Sequence, residues 1–381
     1  MTSSSGPSPG LTNPALEAIY PKADAFLGEQ SQPDEIACAG GLIATLEQKI
    51  GGDYKPGTAR RDAHPKAHGC VTATLNIRDD LPPELTGGVF QPGASYQAVV
   101  RFSNGSPNAT APDIKGGTRG MAVKLFGVPG RKLMADPGNP DVQDFIMMSS
   151  PFFFINSARD YARFRDAVHS RKIPQILQMP FYLGLRGSLN AIRMLRQKIA
   201  NPLQTRYWSV VPSQLGTGDA RQAVKFSARP IGPTHGTIPA KPGPNFLRAA
   251  MARTLAAGAY KMEFLIQRRG DTDLSVEDCV REWPETRAPF ESVGILTIHQ
   301  QNFDTHERDT YCENQSFNPW HSLKAHRPLG AINRTRRVVY QAISELRHGM
   351  DDTTVPAGLP ADKAGSAGTA GRPSRASQRC D

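Results

Sequence analysis

The sequence predicts an α+β fold in which an antiparallel sheet closes into a β-barrel flanked by helices. Two observations carry that expectation. Seven segments between residues 69 and 303 have strand character and are separated by Gly-, Pro- and Asp-rich breaks. Helical pattern is concentrated elsewhere: in two segments before the strands, between about Ala158 and Asn201, and from Ile332 to His348. That many strands most simply close on themselves.

Taken in order, residues 1–12 are rich in Ser, Gly and Pro and predict a disordered N-terminus. "PALEAIYPKADAFLGEQ" and "PDEIACAGGLIATLEQKI" then read as helices within 13–52. "GCVTATLNI" alternates Val71, Ala73, Leu75 and Ile77 against Thr72, Thr74 and Asn76, the period of a half-buried strand. "SYQAVVRFS", "GMAVKLFGV", "DFIMMSSPFFFI", "AVKFSARPI", "KMEFLIQRR" and "GILTIHQQNF" are the other strand candidates. A single domain over 13–350 is expected, with barrel and helices in 60–348, followed by a Pro-, Gly- and Ser-rich disordered tail at 351–381.

The 381 residues carry a formal charge of +10, which suits anionic partners. The excess is local, because no acidic residue lies between Asp166 and Asp219. Within it "GLRGSLNAIRMLRQKIA" reads as a basic amphipathic helix. The expectation is a solvated face laid over core; a weak membrane-surface contact through 167–218 is the alternative. Nucleic-acid binding is not expected, since basic and aromatic residues do not interleave. Five scattered cysteines without a C-x-x-C pair indicate neither a disulfide framework nor a zinc site. The N-terminus lacks the charge and apolar pattern of a secretory signal and no apolar run reaches membrane-spanning length, so a cytoplasmic protein is expected.

Three clusters could carry chemistry. In "RRDAHPKAHGC", His64 follows Arg61 by three residues just ahead of a strand, where a lone histidine is more often a structural or surface residue than a catalytic one. In "VVRFSNG", an extended chain points Arg101 and Ser103 to one face and Val100 and Phe102 to the other. In "NRTRRVVYQAISELR", helical spacing brings Arg336, Tyr340 and Arg347 to one side. Taken alone, that helix could simply be amphipathic, with a snorkelling tyrosine and solvated arginines.

Arg61-x-x-His64-x-Lys66, Val100-Arg101-Phe102-Ser103, Arg119-Gly120-Met121-Ala122-Val123-Lys124, Pro151-Phe152-Phe153-Phe154-Ile155, Trp283-Pro284, Phe317-Asn318-Pro319 and Arg336-x-x-x-Tyr340-x-x-x-x-x-x-Arg347 occur in the order of the haem catalases. From about Arg61 to His348 the chain resembles that superfamily, and its C-terminal part resembles the short catalase-related peroxidase branch. The resemblance implies a catalase-type antiparallel barrel with a C-terminal haem-ligating helix, and haem b as cofactor. It implies Tyr340 as axial ligand of the haem iron and Arg336 as the cation stabilising its phenolate. Arg61, Arg101 and Arg347 match the residues that hold the haem propionates, for which guanidinium forks are suited. His64 matches the distal acid–base group, Ser103 the residue orienting it, and Tyr161 an aromatic side chain over the haem face.

The implied function is a haem peroxidase that reduces hydrogen peroxide or an organic or lipid hydroperoxide through a ferryl intermediate, with an unidentified electron donor. Alternatives are a fatty-acid hydroperoxide isomerase or dehydratase of the allene-oxide-synthase type, or a haem-binding protein with little turnover. The pattern departs from the catalases on the distal side. Met148 and Ser149 stand where the family has the distal Asn-Asn, Ala63 replaces a valine, and Pro65 and Ala67 replace Ala and Gly. A roomier site without the amide implies weak disproportionation of hydrogen peroxide.

Overall fold

A computed structural model describes residues 14–170, 174, 177–232, 234 and 236–360. Nine strands form one sheet: β1 (Ala67–Ile77), β2 (Ser95–Asn104), β3 (Arg119–Phe126), β4 (Val142–Met148), β5 (Tyr207–Trp208), β6 (Ser213–Leu215), β7 (Gln222–Ile231), β8 (Tyr260–Arg268) and β9 (Phe290–Ile298). Eight of them close antiparallel into a ring, β1-β2-β3-β4-β5-β7-β8-β9 and back to β1, with β6 added beside β7. Two-residue β5 completes the ring by pairing Trp208 with Met148 on one side and with Ser227 on the other.

The barrel interior follows from the period-two pattern. Val71, Ala73, Leu75 and Ile77 of β1 join Val100 and Phe102 of β2 in the core, and Phe90, Phe145, Phe226 and Phe264 fill its centre. Those rings pack at 4.9–6.2 Å between centroids. Arg101 and Ser103 therefore face outward, yet they are buried, because other elements cover this wall of the barrel.

The covering layer is helical. Helices α1 (Pro14–Ile19), α2 (Glu35–Asp53), α3 (Ala158–Ser170), α4 (Met179–Arg196), α5 (Phe246–Ala257), α6 (His306–Asn314) and α7 (Ala331–Asp351) are described. The apolar stripe of α7, Val338, Val339 and Ile343, packs on Leu42, Leu46 and Ile50 of α2, with Tyr161 and Tyr340 at the edge of that cluster. Helix α6 lies against β1, where Cys312 meets Cys70 and Val99. Lys124, fully buried on β3, bridges Asp136 at 2.7 Å and Asp144 at 2.9 Å. Asp144 also accepts from the Asn318 backbone at 3.0 Å, which anchors the Phe317-Asn318-Pro319 segment to the barrel wall.

Several expectations shift in detail. Helices α5 and α6 have weak apolar periodicity and were not anticipated. The first N-terminal segment is helical only over Pro14–Ile19, with a single 3₁₀ turn at Ala25–Leu27. The strand expected over 144–155 ends at Met148, since Ser149 gives its N–H to Arg119 and Ser150 folds its hydroxyl back to the Phe152 carbonyl. The core-facing reading of the basic helix is overturned. The inward side of α4 is Gly187, Asn190 and Met194, while Phe181, Leu185, Leu189, Ile192 and Leu195 are exposed. The tail boundary expected at 351 meets the last residue of α7, and the chain then runs on against the body. Asn139 bonds Pro356 and Gly358 there, and Tyr311 bonds the Gly358 carbonyl. Of the segments expected to be disordered, 1–12 and 351–381, residues 1–12 and 361–381 lie outside the described residues. No helix among the described residues is long and apolar enough to cross a membrane.

Burial makes the fold acid-sensitive. His326 takes the Val89 N–H at 3.0 Å inside the barrel, and burial pushes its pKa down to about 3. The unfolded chain binds that proton near pH 6.5 and the folded chain does not, so stability falls as pH drops from about 6.5 towards 3, by about 1.4 kcal/mol per unit for each such histidine. Denaturant titrations should show this decline, and His326→Gln, which keeps an acceptor for Val89, should make it shallower.

Candidate functional site

His64 sits in the loop entering β1 in a left-handed conformation, φ +59°, which a non-glycine residue adopts only when its surroundings hold it there. Arg101 supplies one restraint by donating to the His64 carbonyl at 2.9 Å. Ser103 supplies the other, sharing a 3.0 Å hydrogen bond with Nδ1. The ring has room because Gly120 lies opposite Ser103 on β3: a Cβ there would come within 2.7 Å of both Nδ1 and the Ser103 hydroxyl. Burial, then the charges of Arg101, Arg336 and Arg119, push the imidazole pKa down to about 3. The histidine is therefore a neutral base at physiological pH.

The charge of Arg336 reaches His64 from α7. On that helix the Arg336 guanidinium lies over the Tyr340 ring at 5.6 Å and donates to Asn333 at 3.4 Å. Tyr161 of α3 lies within reach of the same pair: burial raises its phenol pKa, Arg165 lowers and Asp62 raises it less strongly, and Tyr340 and Arg336 add smaller opposing influences. The structure thus brings His64, Tyr161, Arg336 and Tyr340 together from a loop and two helices.

The other arginines gather at one carboxylate. Glu313 at the end of α6 pairs with Arg61 at 2.7 Å and with Arg347 at 3.0 Å, and Arg101 lies within their field. Burial and its two cationic neighbours, opposed by Glu313, bring the Arg61 pKa down to about 9. Burial works against ionisation of Glu313 too, yet Arg61, Arg101, Arg347 and Arg60 hold its carboxyl below the usual range. Arg60 also reaches Glu313 at 3.3 Å, so one carboxylate stands among four guanidiniums and the cluster keeps an excess of positive charge. The Nε groups of Arg101 and Arg347 are buried without a hydrogen-bond partner. That donor set fits a ligand carrying two carboxylates, as haem does.

The distal departures have structural consequences. Met148 packs with Phe153, Trp208, Val210, Val211, Cys279 and Ile332. Ser149 is fully engaged: its hydroxyl accepts from the Arg119 N–H at 2.8 Å and donates to Gln197 at 2.7 Å. Gln197, which drew no notice in the sequence, spends its amide on the Ser149 carbonyl. Lys66 of the Arg61-x-x-His64-x-Lys66 block is a clamp rather than a reacting group, bonding Asp113 at 2.8 Å and the Ala111 and Pro244 carbonyls at 2.9 Å. The sequence does not mark Glu313 or Gly120 as site residues, although Gly120 lies within Arg119-Gly120-Met121-Ala122-Val123-Lys124.

No family model matches the chain. It is 28% identical over 319 residues to a catalase-related peroxidase of Mycolicibacterium paratuberculosis, covering 79% of this chain and 92% of that protein. Among solved structures, a bacterial catalase superposes with TM-score 0.62 at 17% identity, covering 93% of this chain and 69% of that one. A fungal catalase gives 0.61 at 19% identity over 81% and 62% of the two chains. Catalase A of Saccharomyces cerevisiae gives 0.59 at 16% over 84% and 66%. The chain thus spans less than two thirds of the fungal and yeast enzymes. The chain thus has the fold of the catalases, and along most of its length its sequence is similar to a catalase-related peroxidase.

Proposed function

We propose that the protein is a haem-dependent peroxidase that reduces hydrogen peroxide or an organic hydroperoxide at the expense of an external electron donor, and is weak in disproportionating hydrogen peroxide. The observation that carries this reading is a neutral, Ser103-tethered imidazole within the field of Arg336, which lies over the Tyr340 ring, beside a cluster of arginines whose positive charge Glu313 does not balance.

Arg61, Arg101 and Arg347 would hold the two propionates of haem b, Tyr340 would be the axial ligand, and Tyr161 would cover part of a face. Bound haem supplies a redox-active iron that accepts oxidising equivalents from peroxide and passes them to the donor. Arg336 favours the anionic form of Tyr340 by charge. With Nδ1–H donated to Ser103, His64 presents Nε2 as a proton acceptor. It takes the proton from one peroxide oxygen and returns it to the departing oxygen, which leaves as water, or as an alcohol from an organic hydroperoxide. Met148 offers no amide to hold a second small peroxide in place, which argues against efficient disproportionation.

Three measurements test this reading. Purified with haem, the protein should oxidise a guaiacol-type dye well, evolve little oxygen from hydrogen peroxide, and leave a fatty-acid hydroperoxide largely unconsumed without reductant; rapid consumption in that last arm would favour the isomerase class. Tyr340→Phe should lose the phenolate-ligated ferric spectrum or bind haem far more weakly, and an unchanged spectrum would remove Tyr340 from the iron.

His64→Ala should slow the reaction with peroxide roughly a hundredfold or more while haem stays bound, as for the loss of a positioned acid–base group. Gly120→Ala should act in the same direction by displacing the ring. Met148→Asn should raise the ratio of oxygen evolution to dye oxidation. It is a cleaner probe than Ser149→Asn, which would also break the bonds to Arg119 and Gln197.

A further inference from the structure

Helix α4 lies on the body with its apolar side outward. At 100° per residue, Gly187, Asn190 and Met194 share one face, and they are buried. Leu185, Leu189, Ile192 and Leu195 fall on the opposite face, with Phe181 extending the row ahead of the backbone break at Gly184. Phe181 is 85% exposed, Leu185 82% and Leu195 70%, far beyond what isolated surface leucines need explaining. The orientation is fixed from below. Asn190 donates to the Phe153 carbonyl at 2.9 Å and to the Val280 carbonyl at 2.8 Å. Gly187 lies so close to the Phe154 carbonyl that a Cβ would collide with it.

Charge selects the occupant of this face. Arg186 and Arg193 flank the apolar row on one side, Arg196 and Lys198 follow at its end, and all four are exposed. No acidic residue occurs anywhere in 167–218. A two-fold pairing of two copies would set these cations against their own equivalents without a carboxylate from the helix to balance them. An anionic lipid surface satisfies both halves of the pattern, because apolar side chains enter the acyl boundary while long basic side chains reach the head groups.

We propose that α4 seats the protein on an anionic membrane surface, with Phe181, Leu185, Leu189, Ile192 and Leu195 in the lipid and Arg186, Arg193, Arg196 and Lys198 at the phosphate level. The inner side of α4 touches Phe153 and Phe154 and its end bonds Ser149 through Gln197, so the docked face adjoins the distal segment of the candidate site. Delivery of a membrane-borne lipid hydroperoxide to that site would follow, and this corollary alone rests on the peroxidase reading.

Co-sedimentation of the full chain with vesicles tests the docking independently of turnover. Wild type should bind phosphatidylcholine vesicles containing phosphatidylserine, and should bind pure phosphatidylcholine, or the mixed vesicles in high salt, much more weakly. Phe181→Ser with Leu185→Ser, and separately Arg186→Glu with Arg193→Glu, should each lower partitioning about tenfold or more. Both variants should keep the wild-type melting temperature and activity on hydrogen peroxide in solution. Failure of the wild type to bind mixed vesicles, or equal binding by both variants, would overturn the proposal. So would a lipid-free dimer in sedimentation velocity that Phe181→Ser with Leu185→Ser dissociates, which would assign the face to a second copy.

Discussion

Helix α7 is held at both ends by buried ion pairs, and the candidate site depends on that restraint. Near its start, Arg334 pairs with Glu29 at 2.5 Å, Glu35 at 2.9 Å and Glu277 at 3.1 Å; near its end, Arg347 pairs with Glu313 at 3.0 Å. Tyr340 lies between the two anchors. A helix advances 100° per residue, so fixing two guanidiniums fixes the direction of every side chain between them. Such pairs add little net stability over well-packed apolar side chains, while losing one partner strands a buried charge at a cost of about 3–5 kcal/mol. What they contribute here is register: one rotation of α7 brings the charge of Arg336 to bear on His64 with Tyr340 beneath its guanidinium, and the acidic partners come from three distant segments of the chain.

The opposite wall is positioned by strand register. Ala67, Ser103 and Gly120 form one row across β1, β2 and β3, and Cys70, Arg101 and Ala122 form another. The bulge between Ala67 and Gly69 falls where the His64 loop joins the barrel. A one-residue slip of β2 would turn Arg101 and Ser103 into the aromatic interior and expose Val100 and Phe102, so the hydrophobic core itself enforces the polar geometry outside it.

These two devices explain which features could be read in the sequence. Period-two strands are visible because one face of each is committed to the barrel core, and the pairing of Arg101 with Ser103 follows directly from that alternation. The rows joining Ser103 to Gly120 are non-local, so the reason for a glycine at 120 appears only when β2 and β3 are in register. Glu313 was illegible for a similar cause: it lies on α6, a short polar helix with almost no apolar periodicity, and becomes meaningful only beside Arg61 and Arg347 from distant segments. In α4 the amphipathic pattern was plain but its sign was not, since periodicity reveals two unlike faces without saying which one meets the protein. Gly187 and Asn190 decide that, through contacts with backbone carbonyls that carry no sequence pattern.

The same arginines that suit a dianionic ligand also bear on the base. Arg101 helps lower the His64 pKa, and carboxylates placed against Arg101 would offset part of its influence. Burial, however, is the larger cause of the depression, and it does not depend on the arginine's partner. The imidazole therefore stays neutral whether or not the arginines are neutralised. As pH falls, the unfolded chain gains protons on His64, His68 and His326 well before the folded chain does, because burial depresses all three. Each of the three therefore draws stability from the fold over the same acid range in which the folded base stays neutral.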